Sequence, residues 1–140
     1  MQHIGKIGAA VVAATLASGA QAADGAKQQP YPSKPIRWIV PFAANGGVDV
    51  VARMVGQKLG EMIGTTVVVD NRSGGAGIIG AAIAAASPPD GYTLLSTSST
   101  LSVNQAMKMA IGKKPPYDLT RDFTPVMQMT AQPYVLAGHV

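Results

Sequence analysis

The sequence predicts an α/β fold, a parallel sheet with helices on both faces. Three observations carry that expectation. Runs rich in β-branched and aromatic residues, Ile36 to Phe42, Thr65 to Val69 and Tyr92 to Ser96, alternate with segments of helical period. Loops of small residues, Ala43 to Val48 and Asn71 to Gly77, join the first two strands to the helices that follow. The order strand, helix, strand, helix, strand is that of parallel neighbours joined by right-handed crossovers.

Residues 1–22 read as a secretory signal peptide. Lys6 supplies a positive n-region, Ala9 to Ala17 an apolar h-region of small residues, and Ala20-Gln21-Ala22 fits the A-x-A rule for cleavage after Ala22. The apolar stretch is shorter than the roughly 20 residues that span a bilayer. A periplasmic protein, not inserted in a membrane after cleavage, is therefore expected. Residues 23–35 follow as a leader, polar and proline-containing from Asp24 to Lys34.

The first strand ends at Pro41-Phe42, proline being suited to a strand's end. From Asp49 to Ile63 the period is helical. Val51, Val55, Leu59 and Met62 line one face, Arg53, Gln57 and Glu61 another, and Gly64 stops the helix. The second strand, Thr65 to Val69, leads through the glycine loop to a small-residue helix, Ile78 to Ala86, which Ser87-Pro88-Pro89 ends. Pro89-Asp90-Gly91 turns into the third strand. Beyond it, Ser96 to Ser102 reads as a loop of hydroxyls. Val103 to Ile111 reads as a short helix, and Phe123 to Thr130 and Tyr134 to Val140 as strands. Trp38 and the methionines Met107, Met109, Met127 and Met129 are assigned to packing.

The chain has no cysteine, which excludes disulfides, thiolate metal sites and cysteine nucleophiles. Its two histidines, His3 and His139, lie at the ends, so none is placed mid-chain as a base or metal ligand. A net charge of +4 is spread thinly, with no basic stripe for nucleic acid. G-x-S-x-G is absent, and no paired carboxylates stand at useful spacing. No catalysis is expected.

Gly75-Ala76-Gly77-Ile78-Ile79-Gly80 matches G-x-G-x-x-G, the dinucleotide pattern. Two required contexts fail. The first glycine should follow the strand at once, yet Asp70 to Gly74 intervene, and no carboxylate stands about 20 residues on for a ribose hydroxyl. A glycine loop that opens a helix still receives anions. Asn45-Gly46-Gly47 has the same character, and both loops fall at the carboxyl edge of the sheet, where open α/β sheets bind ligands. With the hydroxyl loop they describe a rim for carboxylate capture by amides and hydroxyls. A nucleotide-binding enzyme fragment, or a non-functional truncated copy or small interaction domain, is the alternative.

The segments "YPSKPIRWIVPFAANGGVDVVARMVGQKL", "VVVDNRSGGAGIIGA", "PPDGYTLLSTSST" and "YDLTRDFTPV", in that order, resemble the substrate-binding receptors of tripartite tricarboxylate transporters, the Bug proteins. Asn45 stands where the family's first loop has a glycine, Ser73 where the second has proline, and Ala76 where it has a further glycine. The resemblance implies a periplasmic binding protein of the two-lobed, type II kind, which captures a small carboxylate and delivers it to membrane permease subunits without cofactor or catalysis. It also implies that residues 36–140 form a partial first lobe that stops before the second.

The expected ligand-binding residues are Phe42, Asn45, Gly46, Gly47, Asp49, Arg72, Gly77, Thr97 and Ser98. Each has a plainer role to weigh beside it. Asp49 suits a helix cap or first-turn acid. Arg72 suits a surface ion pair. Hydroxyls of Ser96 to Ser99 suit turn hydrogen bonds.

Overall fold

The computed structural model describes residues 30–131 and 137–138. The signal segment, residues 23–29 of the leader and most of Tyr134 to Val140 lie outside the described residues. The elements are β1 (Ile36–Val40), α1 (Gly47–Ile63), β2 (Val67–Asn71), α2 (Ile78–Ala85), β3 (Thr93–Leu95) and α3 (Ser99–Ala110), with a 3-10 turn, Gly75–Gly77, leading into α2. The strands form one parallel sheet in the order β2-β1-β3, with Trp38 beside Val69 on one side and Leu94 on the other. The parallel α/β arrangement expected from the alternation of periods is present.

Strand alternation sends side chains to two faces. Trp38 and Val40 pack with Ala52 of α1, flanked by Val67, Val69 and Leu94. On the opposite face Ala81 of α2, Leu101 of α3 and Tyr117 pack with Leu95 and Phe123. Ile36, Ile39 and Val40 are buried, each contributing about 1.5–3 kcal/mol by leaving water. Trp38 satisfies its indole N–H by donating to Ser96 Oγ at 2.9 Å inside this layer.

The buried stripe of α1 is not the expected one. Asp49, Ala52 and Gly56 face the sheet, Val51, Val55 and Leu59 are half-buried, and Met62 is exposed. The cause is close approach. A Cβ on Gly56 would stand 3.2 Å from Val67 Cγ1, and one on Gly60 only 2.7 Å from the Thr65 carbonyl oxygen. Small residues let the helix backbone sit on the strands, so bulk ranks the wrong face first.

Several boundaries also move. β2 runs later than Thr65 to Val69, because its ladder with β1 continues to the pair Val40–Asn71. Pairing, not apolarity, sets its end. Only Arg72, Ser73 and Gly74 then separate β2 from Gly75. α3 begins at Ser99, so the hydroxyl loop shrinks to Ser96–Ser98 and Ser99 to Ser102 are helical. Phe123 to Thr130 forms no strand. Phe123 packs on the α2 face and Met129 on the α1 face, so this segment passes from one side of the sheet to the other without a ladder partner. Met107, Met109 and Met127 are exposed, against the packing role assigned to them; Met129 packs as expected.

Two clasps hold the ends of the described chain. Tyr31 donates to the Gly91 carbonyl at 2.9 Å, the Ser33 amide donates to Tyr92 Oη at 2.8 Å, and Lys34 pairs with Asp90 at 3.0 Å. The last leader residues are thus docked on the turn before β3. After α3, Tyr117 donates to the Leu101 carbonyl at 2.9 Å, and Asp118 accepts from Thr120 and Gln105. The Thr120 hydroxyl and amide hold the Asp118 carboxyl down to about 2. Among the described residues, no helix is long and apolar enough to cross a membrane.

Candidate functional site

Parallel strands deliver every strand-to-helix loop to one rim. The first loop follows β1 through Pro41 and Phe42 and starts α1 at Gly47. Asn45 there is left-handed, with φ 64°. That conformation is uphill for a residue with a Cβ, though asparagine tolerates it best. Asp49 holds it. Its Oδ2 accepts the Asn45 amide at 2.8 Å and Arg53 Nε at 3.0 Å, while Oδ1 accepts Asn71 Nδ2 at 2.9 Å. Asn71 completes a ring: its Oδ1 accepts Arg53 Nη2 at 2.9 Å, and its Nδ2 also donates to the Phe42 carbonyl at 3.3 Å.

Asp49 is 1% exposed. A buried charge is tolerated only when paired and hydrogen-bonded, and this one has both. The Arg53 guanidinium, then the Asn45 amide and Asn71, hold its carboxyl at about 2. Asp49 is therefore a first-turn acid that shapes the loop from behind. The Asn45 amide is spent on it, so that amide is not ligand-facing as the sequence reading had it. Gly46 N–H makes a long contact, 3.4 Å, to the Ala43 carbonyl. The α1 N-cap, Gly46, has no side chain to cap with, and the first-turn amides of Gly47 and Val48 lie where a helix has no intrahelical acceptors.

The second loop is built differently. It is shaped by backbone and packing. Gly77 has φ 93°, and a Cβ there would stand 2.9 Å from Leu101 Cδ2 and 3.5 Å from Phe42 Cε1. Gly80 is tighter still, its imagined Cβ 2.7 Å from Pro41 Cβ and 2.8 Å from the Arg72 carbonyl oxygen. The glycines let α2 cross the end of β1 at contact distance. The amides of Gly77 and Ile79 both turn inward to the Gly74 carbonyl, at 3.0 and 3.5 Å. The start of α2 is thereby closed by its own loop and offers less to an anion than the sequence implied.

Arg72 is tied to Asp70, Nε to Oδ1 at 2.9 Å, and Arg37 reaches the same carboxylate with Nη2 at 2.6 Å. Burial pushes Asp70 up, yet the bonds from Arg37 and Arg72 hold it below the ordinary carboxylate value. A ligand at Arg72 would compete with Asp70, so the ion-pair role is the one seen.

The third loop supplies what the second withholds. Ser96 is buried and serves Trp38. Thr97 is exposed, and its hydroxyl makes a long, 3.5 Å contact to the Ser98 carbonyl. Ser98 is the N-cap of α3 but makes no capping bond, and its Oγ is buried with no hydrogen-bond partner among the described residues. A buried hydroxyl without a partner asks for a ligand or water. The three loops meet where Phe42, Gly77 and Leu101 converge, and Asn104 Nδ2 fastens α3 to the second loop through the Ala76 carbonyl at 3.1 Å. Among the described residues no group of three His, Cys, Asp or Glu is placed to hold a metal.

The structure thus brings Phe42, Asn45, Gly46, Gly47, Gly77 and the Thr97-Ser98 pair to one rim. Asp49 sits behind it, and Arg72 is held aside. Sequence reasoning missed Arg53 and Asn71. The spacing of Asp49 and Arg53, one helical turn, was a signal for the first. Nothing local pointed to Asn71, which acts across the sheet.

Comparison with known proteins agrees with this architecture. A UPF0065 protein in the tcbD-tcbE intergenic region of Pseudomonas sp. strain P51 is 44% identical over 106 residues, 76% of this chain and 30% of that protein. Protein BugT of Bordetella pertussis is 41% identical over 106 residues, 76% of this chain and 32% of its own. A solved structure described as a periplasmic transporter superposes with TM-score 0.58 at 49% identity, covering 63% of this chain and 29% of that one. The chain therefore spans about a third of the length of the curated relatives it matches. With residues 51–139 matching the tripartite tricarboxylate transporter family receptor, TctC, the chain belongs to that family.

Proposed function

We propose that this chain supplies one wall of a carboxylate site in a periplasmic solute-binding receptor, and that the receptor hands its ligand to the permease subunits of a tripartite transporter. The observation that carries the reading is the pair of uncapped helix starts on one rim. Neither Gly46 at α1 nor Ser98 at α3 makes a side-chain cap bond. At α1 the Gly47 and Val48 amides, and at both helices the positive end of the dipole, then favour an anion. The Ser98 hydroxyl, without a partner among the described residues, adds a donor. Recognition of this kind needs no nucleophile, base or cofactor. The likeness to a periplasmic transporter supports the compartment, as does the signal-type segment at residues 1–22.

The test is titration of the chain with citrate and smaller dicarboxylates, followed by amide chemical shifts. Shifts at Gly46, Gly47 and Ser98 are expected, with affinity weaker than about 1 mM, because a single wall leaves the ligand hydrated. Gly46→Val, whose Cβ would stand 3.3 Å from the Ala43 carbonyl oxygen, should abolish the shifts. Carboxylate shifts confined to residues away from these loops would refute the reading.

A further inference from the structure

We propose that Asn71 is a positioning residue for the rim: through Asp49 it holds the left-handed turn at Asn45 and so sets the direction of the Gly46 and Gly47 amides. Its importance for binding rests on the carboxylate reading; its action on the loop does not. Asn71 is the last paired residue of β2, opposite Val40, so its backbone is fixed by the sheet. Its side chain leaves the sheet and spends both ends. Nδ2 donates to Asp49 Oδ1 at 2.9 Å and to the Phe42 carbonyl at 3.3 Å, and Oδ1 accepts from Arg53 at 2.9 Å. Only a carboxamide matches that demand. An aspartate would set two carboxylates face to face, and an alanine would strip a partner from a buried charge.

The chain of contacts has one direction of rigidity. The sheet fixes Asn71, Asn71 and Arg53 orient the Asp49 carboxylate, and Asp49 Oδ2 holds the Asn45 amide at 2.8 Å. A left-handed non-glycine turn persists where surroundings over-determine it, and this bond is what does so at Asn45. The second loop begins at the next residue, Arg72, whose amide donates to the Val40 carbonyl at 2.8 Å. Asn71 is therefore the junction of both loops.

Amide exchange measured on the full chain without ligand tests this. In Asn71→Ala, exchange at Asn45 should accelerate about tenfold or more, while Ile39 in the centre of β1, a monitor of global opening, changes less than about twofold. The Asp49 carboxyl, followed by its carbon shift, should rise from about 2 towards the ordinary value. A general loss of stability would move Asn45 and Ile39 together, and that result overturns the proposal, as does an unchanged Asn45. Should Asn71→Ala fail to fold, Asn71→Ser keeps a small polar group at the strand end but is too short to span both Asp49 and Arg53. It should accelerate Asn45 by a smaller factor with Ile39 unmoved; no change at Asn45 overturns the proposal. Absence of carboxylate shifts in the unsubstituted chain, with Asn45 responding as expected in Asn71→Ala, would refute the site and leave the positioning role standing.

Discussion

The first and second rim loops lie side by side and are held by opposite means. Loop one, Phe42 to Asp49, is held by side chains: a buried carboxylate, an arginine and a carboxamide closed into a ring. Loop two, Arg72 to Gly77, is held by shape, with glycines where a Cβ would strike Pro41 or Leu101. The difference teaches what each loop can respond to. A hydrogen-bonded loop responds to protons and to the chemistry of its partners. A loop wedged by contact responds chiefly to volume, its titratable contact being the Arg72–Asp70 pair where it begins.

The sharpest way to break the comparison is to add one methyl to loop two's support. Gly80→Ala puts a Cβ at 2.7–2.8 Å from Pro41 and the Arg72 carbonyl, both rigid, and should cost about 3 kcal/mol by chemical denaturation. A loss under about 1 kcal/mol would show that α2 can step away and that shape does not hold the loop.

Acid should separate the loops next. The Asp49 carboxyl sits at about 2 in the folded chain against 3.8 ordinarily. Its contribution is then complete above about pH 4 and is lost as pH falls towards 2. Other lowered aspartates, such as Asp118 and Asp90, add to acid lability, so the informative quantity is a difference. Asp49→Asn should be less stable than wild type at neutral pH and converge on it below about pH 3. A constant gap from pH 7 to pH 2 would mean that the carboxylate charge is not what loop one uses.

Relief of strain sharpens the contrast at smaller scale. Ala76 is left-handed, φ 54°, inside the glycine loop, with no side chain to compensate. Ala76→Gly should stabilise by about 0.5 kcal/mol, the steric relief exceeding the added freedom of the unfolded chain. Asn45→Gly, at φ 64°, should stabilise less or not at all, because asparagine already tolerates that region. Thermal melts of the two variants side by side decide it; an equal gain at both positions would erase the distinction.

Periodicity, glycine placement and proline stops are local properties, and they were enough to read the three parallel strands, the three helices between and after them, and the rim at their carboxyl ends. The order of the quoted segments was enough to read the family. Partnership across the sheet is not local. That Gly56 and not Met62 faces the strands depends on how closely α1 approaches β2. That β2 extends to Asn71 depends on the β1 ladder, and that Phe123 to Thr130 forms no strand with the described residues depends on which neighbours the sheet provides. The same holds in the site. Glycines and hydroxyls marked the loops of the rim from their own conformational and donor properties. The Asn45–Asp49 and Arg72–Asp70 bonds are local, four and two positions apart, and fit the first-turn acid and ion pair weighed from the sequence. Tertiary contact alone decided that Asn71 joins the loops, because its bonds to Asp49 and Phe42 reach 22 and 29 positions along the chain and are assigned by distance in space.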